Sequence, residues 1–594
     1  MVIAPLELAG QADTLSPRPD TLPPPGAAAD SAPAPVAPDT ATAFLPPAPR
    51  ATPPGPLAAG QRFVYDGDSL RFNGLQTLSD LLVHVPGVHV GRGGFFGQPE
   101  PLFYGGRGAA GLEIYWDGVP YLPLGRDSVF LDPARVPLGP LQRVEVVVDP
   151  AVVRVYLVTL SPTTTEPITG IEIATGTGRY AVYRGLFARR WRSGFGLALR
   201  ADFGATNGYA ASPHTNFRNT DLWVRLEYAP SPRYGVDLQL VGSTWKRDAG
   251  PPGVTARDVR RSDRIARAYY RTRTDGLGLR VLATYALSGV NADSALVPDT
   301  LPRPSDGPHL HQGSLEADYA WPRASVTARA AIAPSRMPLR VDLAAAWRPV
   351  APVTLAADAR HATYAGSRSG RRVRGSVGLA LPLGVSLRGD AVLARDVQAA
   401  TVPGDTVQET TDLAAAIRWQ RSFATLEGGV GRRSAFRPVG FPDDLVPAAA
   451  LGPTPETDYV LAHASLRPLP GLQLAGWYAD PVSGGGDFEP PRHARYSAAF
   501  HSKFWRKFRS GAFTLHAEVA AESWSGGRGG RDTLDTPLRL LGATFVEANL
   551  RLQILELTLF WVIRNVNLMS TGFVPGRDYP RSVQYYGAHW SFRN

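Results

Sequence analysis

A chain of 594 residues without a single cysteine excludes disulfide scaffolds, thiolate metal sites and cysteine nucleophiles from the start. Its formal charge of +10 is carried almost wholly by arginine, lysine standing only at 246, 503 and 507. Arginine-rich codon usage explains this as well as attraction to membrane phosphates does, and neither calls for a nucleic-acid partner. No apolar run approaches the ~18 residues of a membrane helix; the longest candidates, such as "LTLFWVI" (557–563), are short and flanked by polar groups.

The first residues, "MVIAPLELAG", lack the basic start and apolar core of a secretory signal, so an exported chain would have to carry its signal elsewhere. Residues 1–60 are dominated by Pro, Ala, Thr and Asp and bury too little apolar surface to offset ordering entropy. They read as an extended, flexible linker.

Residues 61–166 turn globular. "LSDLLVHV" (78–85) reads as a helix stopped by Pro86-Gly87. Short β-branched or alternating runs follow, "GVHV", "PLFYGG", "LEIYWDG", "QRVEVVV" and "VYLVTL", separated by Gly and Pro. The sum is a small α+β domain. Within it, "GGRGAAGLEIYWDGVP" (105–120) sets Arg107 in a bare glycine turn. A phosphate loop needs Gly-Lys-Ser/Thr or a following helix, and this turn has neither. Asp117-Gly118 is first of all a turn signal.

From 167 to 594 the pattern becomes one theme, segments of nine to fifteen residues alternating between apolar and polar. In "DLWVRLEYA", Leu222, Val224, Leu226 and Tyr228 share one face and Trp223, Arg225 and Glu227 the other. Twenty-two candidate strands run from one near 168 to one near 583, with starts near 264 and 537 among them. Even-numbered strands are followed by tight turns ("RSG", "PSPR", "TDG", "PLPG") and odd ones mostly by long loops. A soluble sandwich has no reason to sort its loops by parity. An up-and-down membrane barrel does, with strands of about 9–11 residues crossing the hydrocarbon. Aromatics at strand ends, Tyr228, Trp245, Tyr285, Trp321 and Trp419, are expected to form interfacial girdles. The fold class is therefore an all-β membrane protein, an antiparallel transmembrane barrel of about 22 strands whose wide lumen needs the α+β domain as a stopper.

"TLSDLLVHVPGVHV" (77–90), the Arg-Gly of "YGGRG" (104–108), "LEIYWDGVPY" (112–121) and "LQRVEVV" (141–147), in that order and ahead of the barrel, resemble the plug of TonB-dependent outer-membrane receptors and transporters. The resemblance implies a bacterial outer-membrane protein, not an enzyme, with no cofactor and no resident metal. It implies uptake of a scarce solute such as a siderophore–metal chelate, cobalamin or an oligosaccharide. The alternatives are a plugged receptor without energy coupling and a structural barrel. Its partners would be an inner-membrane TonB-type energiser, the barrel-assembly machinery, outer-membrane lipid and lipopolysaccharide, and the small-molecule solute; the chain itself is expected to be a monomer.

Site residues follow from the same resemblance. Arg107 aligns with an arginine that locks the plug onto lumen carboxylates, and the inward glutamates Glu227, Glu316, Glu427, Glu518 and Glu547 are its candidate partners. The outward apices of the plug map onto Arg92, Phe95, Phe96 and Gln98 and onto Tyr121 and Arg126, where rings could stack on a ligand and guanidinium groups hold an anion. Packing of the rings against the barrel wall is an equal reading. Three departures stand out. The expected Arg-Gly-Pro turn reads Val148-Asp149-Pro150, with Arg154 the nearest substitute for a second locking arginine; the following section is shortened; and the one TonB-box candidate, "RFVYDG" (62–67), reads better as a first plug strand. His309 and His311 resemble a metal pair with no completing acid. The last strand, "VQYYGAHWSF", points Tyr586, Ala588, Trp590 and Phe592 one way and resembles an assembly signal, with Arg593-Asn594 added beyond it.

Overall fold

The protein, seen in a computed structural model, is described over residues 61–593 apart from 68–69, 71–74, 125–129, 209–215, 250–255, 293–308, 365–367, 398–406, 443–444, 446 and 505–511. The linker expected over 1–60, Arg126 and Asn594 lie outside the described residues.

Twenty-two antiparallel strands, from Ile168–Gly176 to Val583–Arg593, close into one barrel. The last pairs with the first from Tyr585↔Gly176 to Arg593↔Ile168, so no strand edge is left open. The period of two sorts the faces as the alternation demands. Leu222, Leu226 and Tyr228 stand exposed on the outer wall, while Trp223, Arg225 and Glu227 are buried toward the lumen. Tyr285 and Trp321 are exposed on the outer face, Tyr285 at the middle of Gly278–Ala292 and not at its end. Trp245 is not on that face: in Tyr234–Arg247 it shares the inward set with Val241, Ser243 and Arg247.

Tight connections such as 232–233, 321–323, 421–423 and 470–471 gather at one rim, and 434–456, 525–542 and 565–582 at the other. Parity is not strict, since 334–336 is short at the long-loop rim. Two strand starts differ from the reading of the sequence. Arg257–Arg271 begins seven residues before 264, pairing Lys246↔Asp258 and Trp245↔Val259. Its outward residues there, Asp258, Arg260 and Ser262, are polar, as suits a strand rising beyond lipid, and polar alternation carries no apolar signal. Pro537–Leu540 pairs with Gly527–Arg531 in a separate ribbon, and the barrel strand is Ala543–Ile554. Between them the chain folds back where the Gly542 and Gly526 backbones meet, a Cβ on Gly542 falling 3.1 Å from the Gly526 nitrogen.

The lumen holds the N-terminal domain. Its elements are β1 (Gln61–Asp66), helix α1 (Leu78–Leu82), β2 (His89–Val90), β3 (Leu102–Phe103), β4 (Leu112–Trp116), β5 (Val119–Pro120), β6 (Leu141–Val148) and β7 (Val153–Thr159). The main sheet runs β1-β6-β7-β4-β5, with β4 parallel to β7, while β2 and β3 pair apart. Helix α1 starts where the Asp80 carboxylate accepts the Gln76 and Thr77 N–H groups at 2.9 and 3.1 Å. It is shorter than the sequence pattern, because residues to Val85 tighten into three-residue turns ahead of Pro86. Leu78, Leu81, Val85, Val144, Val146, Val155 and Leu157 form the fully buried core.

Candidate functional site

Arg107 sits where three glycines, 105, 106 and 108, all take positive φ. The need for glycine is steric at Gly106, where a Cβ would fall 2.7 Å from the Thr454 hydroxyl and 3.1 Å from the Gly486 Cα. The turn is thereby pressed against two barrel loops, and Thr454 donates to the Gly106 carbonyl at 2.8 Å. The Arg107 guanidinium pairs with Asp412 at 2.5 Å and lies 4.5 Å from the Phe436 ring. Asp412 also accepts the Ser434 N–H at 3.0 Å.

None of the five candidate glutamates is recorded as the partner. Each faces the lumen but meets another side chain: Glu227 with Arg225 at 2.6 Å, Glu316 with Arg280 at 3.2 Å, Glu427 with Arg388 at 3.8 Å, Glu518 with His516 at 3.8 Å, and Glu547 with Arg495. Parity puts a side chain in the lumen but says nothing of its height along the bore. Asp412, near the long-loop rim, is at the level of the Arg107 turn.

Elsewhere the lock has the opposite polarity, with acids on the plug and arginines on the wall. Asp149, at the place of the expected second arginine, meets Arg372 at 2.7 Å, Arg154 at 3.0 Å and Arg374. Glu113 on β4 meets Arg360 at 2.8 Å and Arg372 at 3.6 Å. Arg154 remains a plug residue, bridging Asp149, Glu113 at 3.7 Å and the wall's Asp358 at 3.8 Å. Burial opposes both plug charges, yet Arg360 and Arg154 hold Glu113 well below the usual carboxyl range, and Arg154, Arg374 and Arg372 lower Asp149. Asp117 turns the β4–β5 hairpin at φ 44 and is at the same time a contact to the wall. Its carboxylate accepts from Thr159 at 2.6 Å and Gln239 at 2.7 Å, and its carbonyl from Arg267 at 2.6 Å.

The six residues mapped to the plug apices do not form one open surface. Arg92 is buried between Asp80 at 3.1 Å and Glu100 at 3.9 Å. Burial raises the Glu100 carboxyl. Phe95 is buried, and the Phe96 ring meets Tyr180 and Phe217 edge-on at 4.9 and 5.4 Å. Gln98 is buried, its amide nitrogen and oxygen both without a hydrogen-bond partner. These residues pack against the wall, and Arg126 lies outside the described residues. Tyr121 alone borders an opening toward the long loops. Its ring lies 3.6 Å under Arg261, and with Phe130, Trp245, Arg135 and Arg247 it lines a cavity of about 120 Å³. Arg261 and Arg336 pin the same segment through the Leu122 and Pro123 carbonyls, each at 2.8 Å.

Over the remaining plug face the long loops fold inward. Leu445, Phe488 and Val574 join Phe103 and Phe130 in one buried cluster, Phe103 stacking on Phe488 at 4.2 Å. At the opposite rim a cavity of about 950 Å³ separates plug from wall, lined by Asp66, Leu75, Arg143, Glu172, Arg200 and His589 among others. Among the described residues the arrangement is that of a stoppered bore, covered over Phe103 and Phe130 at the long-loop rim and undercut at the other. "RFVYDG" is folded away as β1, paired along its length with β6.

Sequence reasoning found Arg107 but missed Asp412, the reversed locks and one further group. His89 on β2, His493 and Glu522 each offer a ligand atom within 4.8 Å of the others, all three residues being buried. His309 and His311 flank the buried Leu310 and are exposed, His311 bonding Tyr285 at 2.7 Å, so they assemble no such group.

Residues 58–155 match the model of the TonB-dependent receptor plug domain. No curated protein matches the chain by sequence. Among solved structures, a variant of the ferric enterobactin receptor PfeA of Pseudomonas aeruginosa superimposes with a TM-score of 0.69 at 12% identity, over 90% of this chain and 98% of that one. The siderophore receptor PirA of Acinetobacter baumannii gives 0.67 at 10% identity over 90% and 98%. The ferric citrate transporter FecA gives 0.61 at 14% identity over 90% and 97%. At these identities the likeness is one of fold.

Proposed function

We propose, for a chain that belongs by its plug domain and its closed 22-strand barrel with the TonB-dependent outer-membrane receptors, that it binds an anionic chelate at the outer face and admits it past a displaceable plug. The observation that carries this reading is the cation-and-ring cavity at the long-loop rim. Arg261 over Tyr121, with Arg135, Arg247, Trp245 and Phe130, offers stacking and charge to one ligand. Ferric enterobactin and ferric citrate, named in the structures compared, are anionic chelates of that kind. In this reading the long loops face outward and the 950 Å³ cavity faces the periplasm, where a ligand leaves beside β1. The test is uptake in a host stripped of its own receptors, with radiolabelled iron on a catecholate or on citrate compared with radiolabelled cobalamin. Arg261→Ala is expected to weaken uptake of the anionic chelate at least tenfold. Uptake of cobalamin alone, or equal uptake by the variant, would reject the anion.

A second reading, a plugged receptor without energy coupling, is favoured by the one candidate coupling peptide being a paired strand. Deleting residues 1–60, or the host's TonB-type energiser, distinguishes the two. Uptake that stops supports coupling, and uptake that persists supports the second reading.

A further inference from the structure

The His89, His493 and Glu522 group lies where β2 of the plug meets the barrel wall and the loop 565–582. His89 is 0% exposed. Its Nε2–H donates to the Phe573 carbonyl at 3.1 Å, which fixes the tautomer and leaves the lone pair on Nδ1. That Nδ1 has no hydrogen-bond partner. His493 Nε2 and Glu522 Oε1 are 2.9 Å apart, and Arg495, 3.9 Å from Glu522, is turned toward Glu547. The group is walled by rings: Trp477 lies 4.7 Å from His493, and Trp524 5.3 Å from His89, with Phe488 and Phe573 beyond.

We propose that His89, His493 and Glu522 bind one divalent transition-metal ion of the zinc type, as a clip that joins the plug to the barrel. Two imidazoles and one carboxylate are a borderline-soft donor set that suits zinc and disfavours magnesium and calcium, which take oxygen. The imidazole bonded to a backbone carbonyl through its other nitrogen is the arrangement that orients metal-binding histidines. Binding exchanges the His493–Glu522 hydrogen bond for two metal bonds, His493 carrying its proton on Nδ1. The three protein ligands leave the fourth position to one water. A buried nitrogen with a free lone pair, otherwise a cost to the fold, is satisfied. Because the ligands come from plug and wall, the ion resists plug withdrawal whatever solute the receptor takes.

The experiment uses the full chain, purified in detergent with a histidine-free tag, stripped by a chelator and titrated with cobalt(II). One equivalent is expected to give the intense visible bands of a four-coordinate ion, and zinc to displace them. His89→Phe, which keeps ring volume, and Glu522→Gln are each expected to weaken binding about 100-fold or more. His311→Ala, on the outer wall, is expected to bind as the parent does. Zinc should also slow proteolysis of the plug in the parent and not in the two ligand variants, each verified as a heat-modifiable barrel. The proposal is overturned if the parent shows no such bands at one equivalent, which needs no variant to fold. It is equally overturned if both ligand variants keep them.

Discussion

At the scale of single residues, the plug is held by charge pairs that make sense only as pairs. Arg107 and Asp412 are each almost wholly buried, so deleting either strands the other, a change that costs about 3–5 kcal/mol for a buried pair. Arg107→Ala and Asp412→Ala are therefore expected to raise permeability to bulky antibiotics by similar amounts, and the double variant by little more than either. Glu427→Gln, far from Arg107, should leave permeability unchanged; a leak there and none at Asp412 would move the lock. Asp149 holds Arg154, Arg372 and Arg374 at once, and Asp149→Ala should loosen the plug more than Arg107→Ala. The pH response has a definite sign. Glu113 and Asp149 titrate below their unfolded values near ~4, so the stability that they add is complete above pH ~4 and is lost only as pH falls through the lower folded values. These two carboxylates accordingly add no difference in plug proteolysis between pH 8 and pH 5. Acceleration over that range is expected from His84 instead, which burial keeps uncharged in the plug while the unfolded imidazole takes up a proton at about 6.5; the raised Glu100 carboxyl acts in the opposite direction. The sequence pattern showed Arg107 as a lock because a lone guanidinium in a glycine turn is conspicuous. It hid Asp412, an inward residue of a strand already recognised, because height along the bore depends on strand stagger, which has no signature in any one strand.

At the scale of elements, period two was strong enough to show nearly every wall strand, since one side of each meets lipid. It failed where that contrast ends. Arg257–Arg271 extends beyond lipid on polar alternation, and Pro537–Leu540 alternates as a wall strand does while lying in a loop ribbon. The last strand tests what closure is worth. Deleting Trp590 to Asn594 removes the pairs Trp590↔Ile171, Ser591↔Gly170, Phe592↔Thr169 and Arg593↔Ile168, and so part of the seam that closes the barrel. The same deletion removes the aromatic end that we propose the assembly machinery reads. Heat-modifiable barrel should disappear from the outer-membrane fraction. If it forms normally, neither the seam nor the signal depends on those residues.

At the scale of the whole molecule, the proposed uptake requires the plug to move. Leu445, Phe488 and Val574 of the long loops cover its Phe103 and Phe130, and the 950 Å³ cavity lies at the other rim. The chain contains no cysteine, so introduced thiols act alone. Glu113 and Arg360 face each other across the plug–wall boundary at 2.8 Å, and replacing both with cysteine removes a pair without leaving either of its two charges behind. A cleavable bifunctional thiol reagent across Glu113→Cys and Arg360→Cys would then fasten β4 to the wall. If transport requires the plug to shift, bridging should abolish uptake, leave ligand binding at the outer face intact, and be reversed by cleaving the bridge. Uptake that continues at its unbridged rate would require a path through a fixed plug.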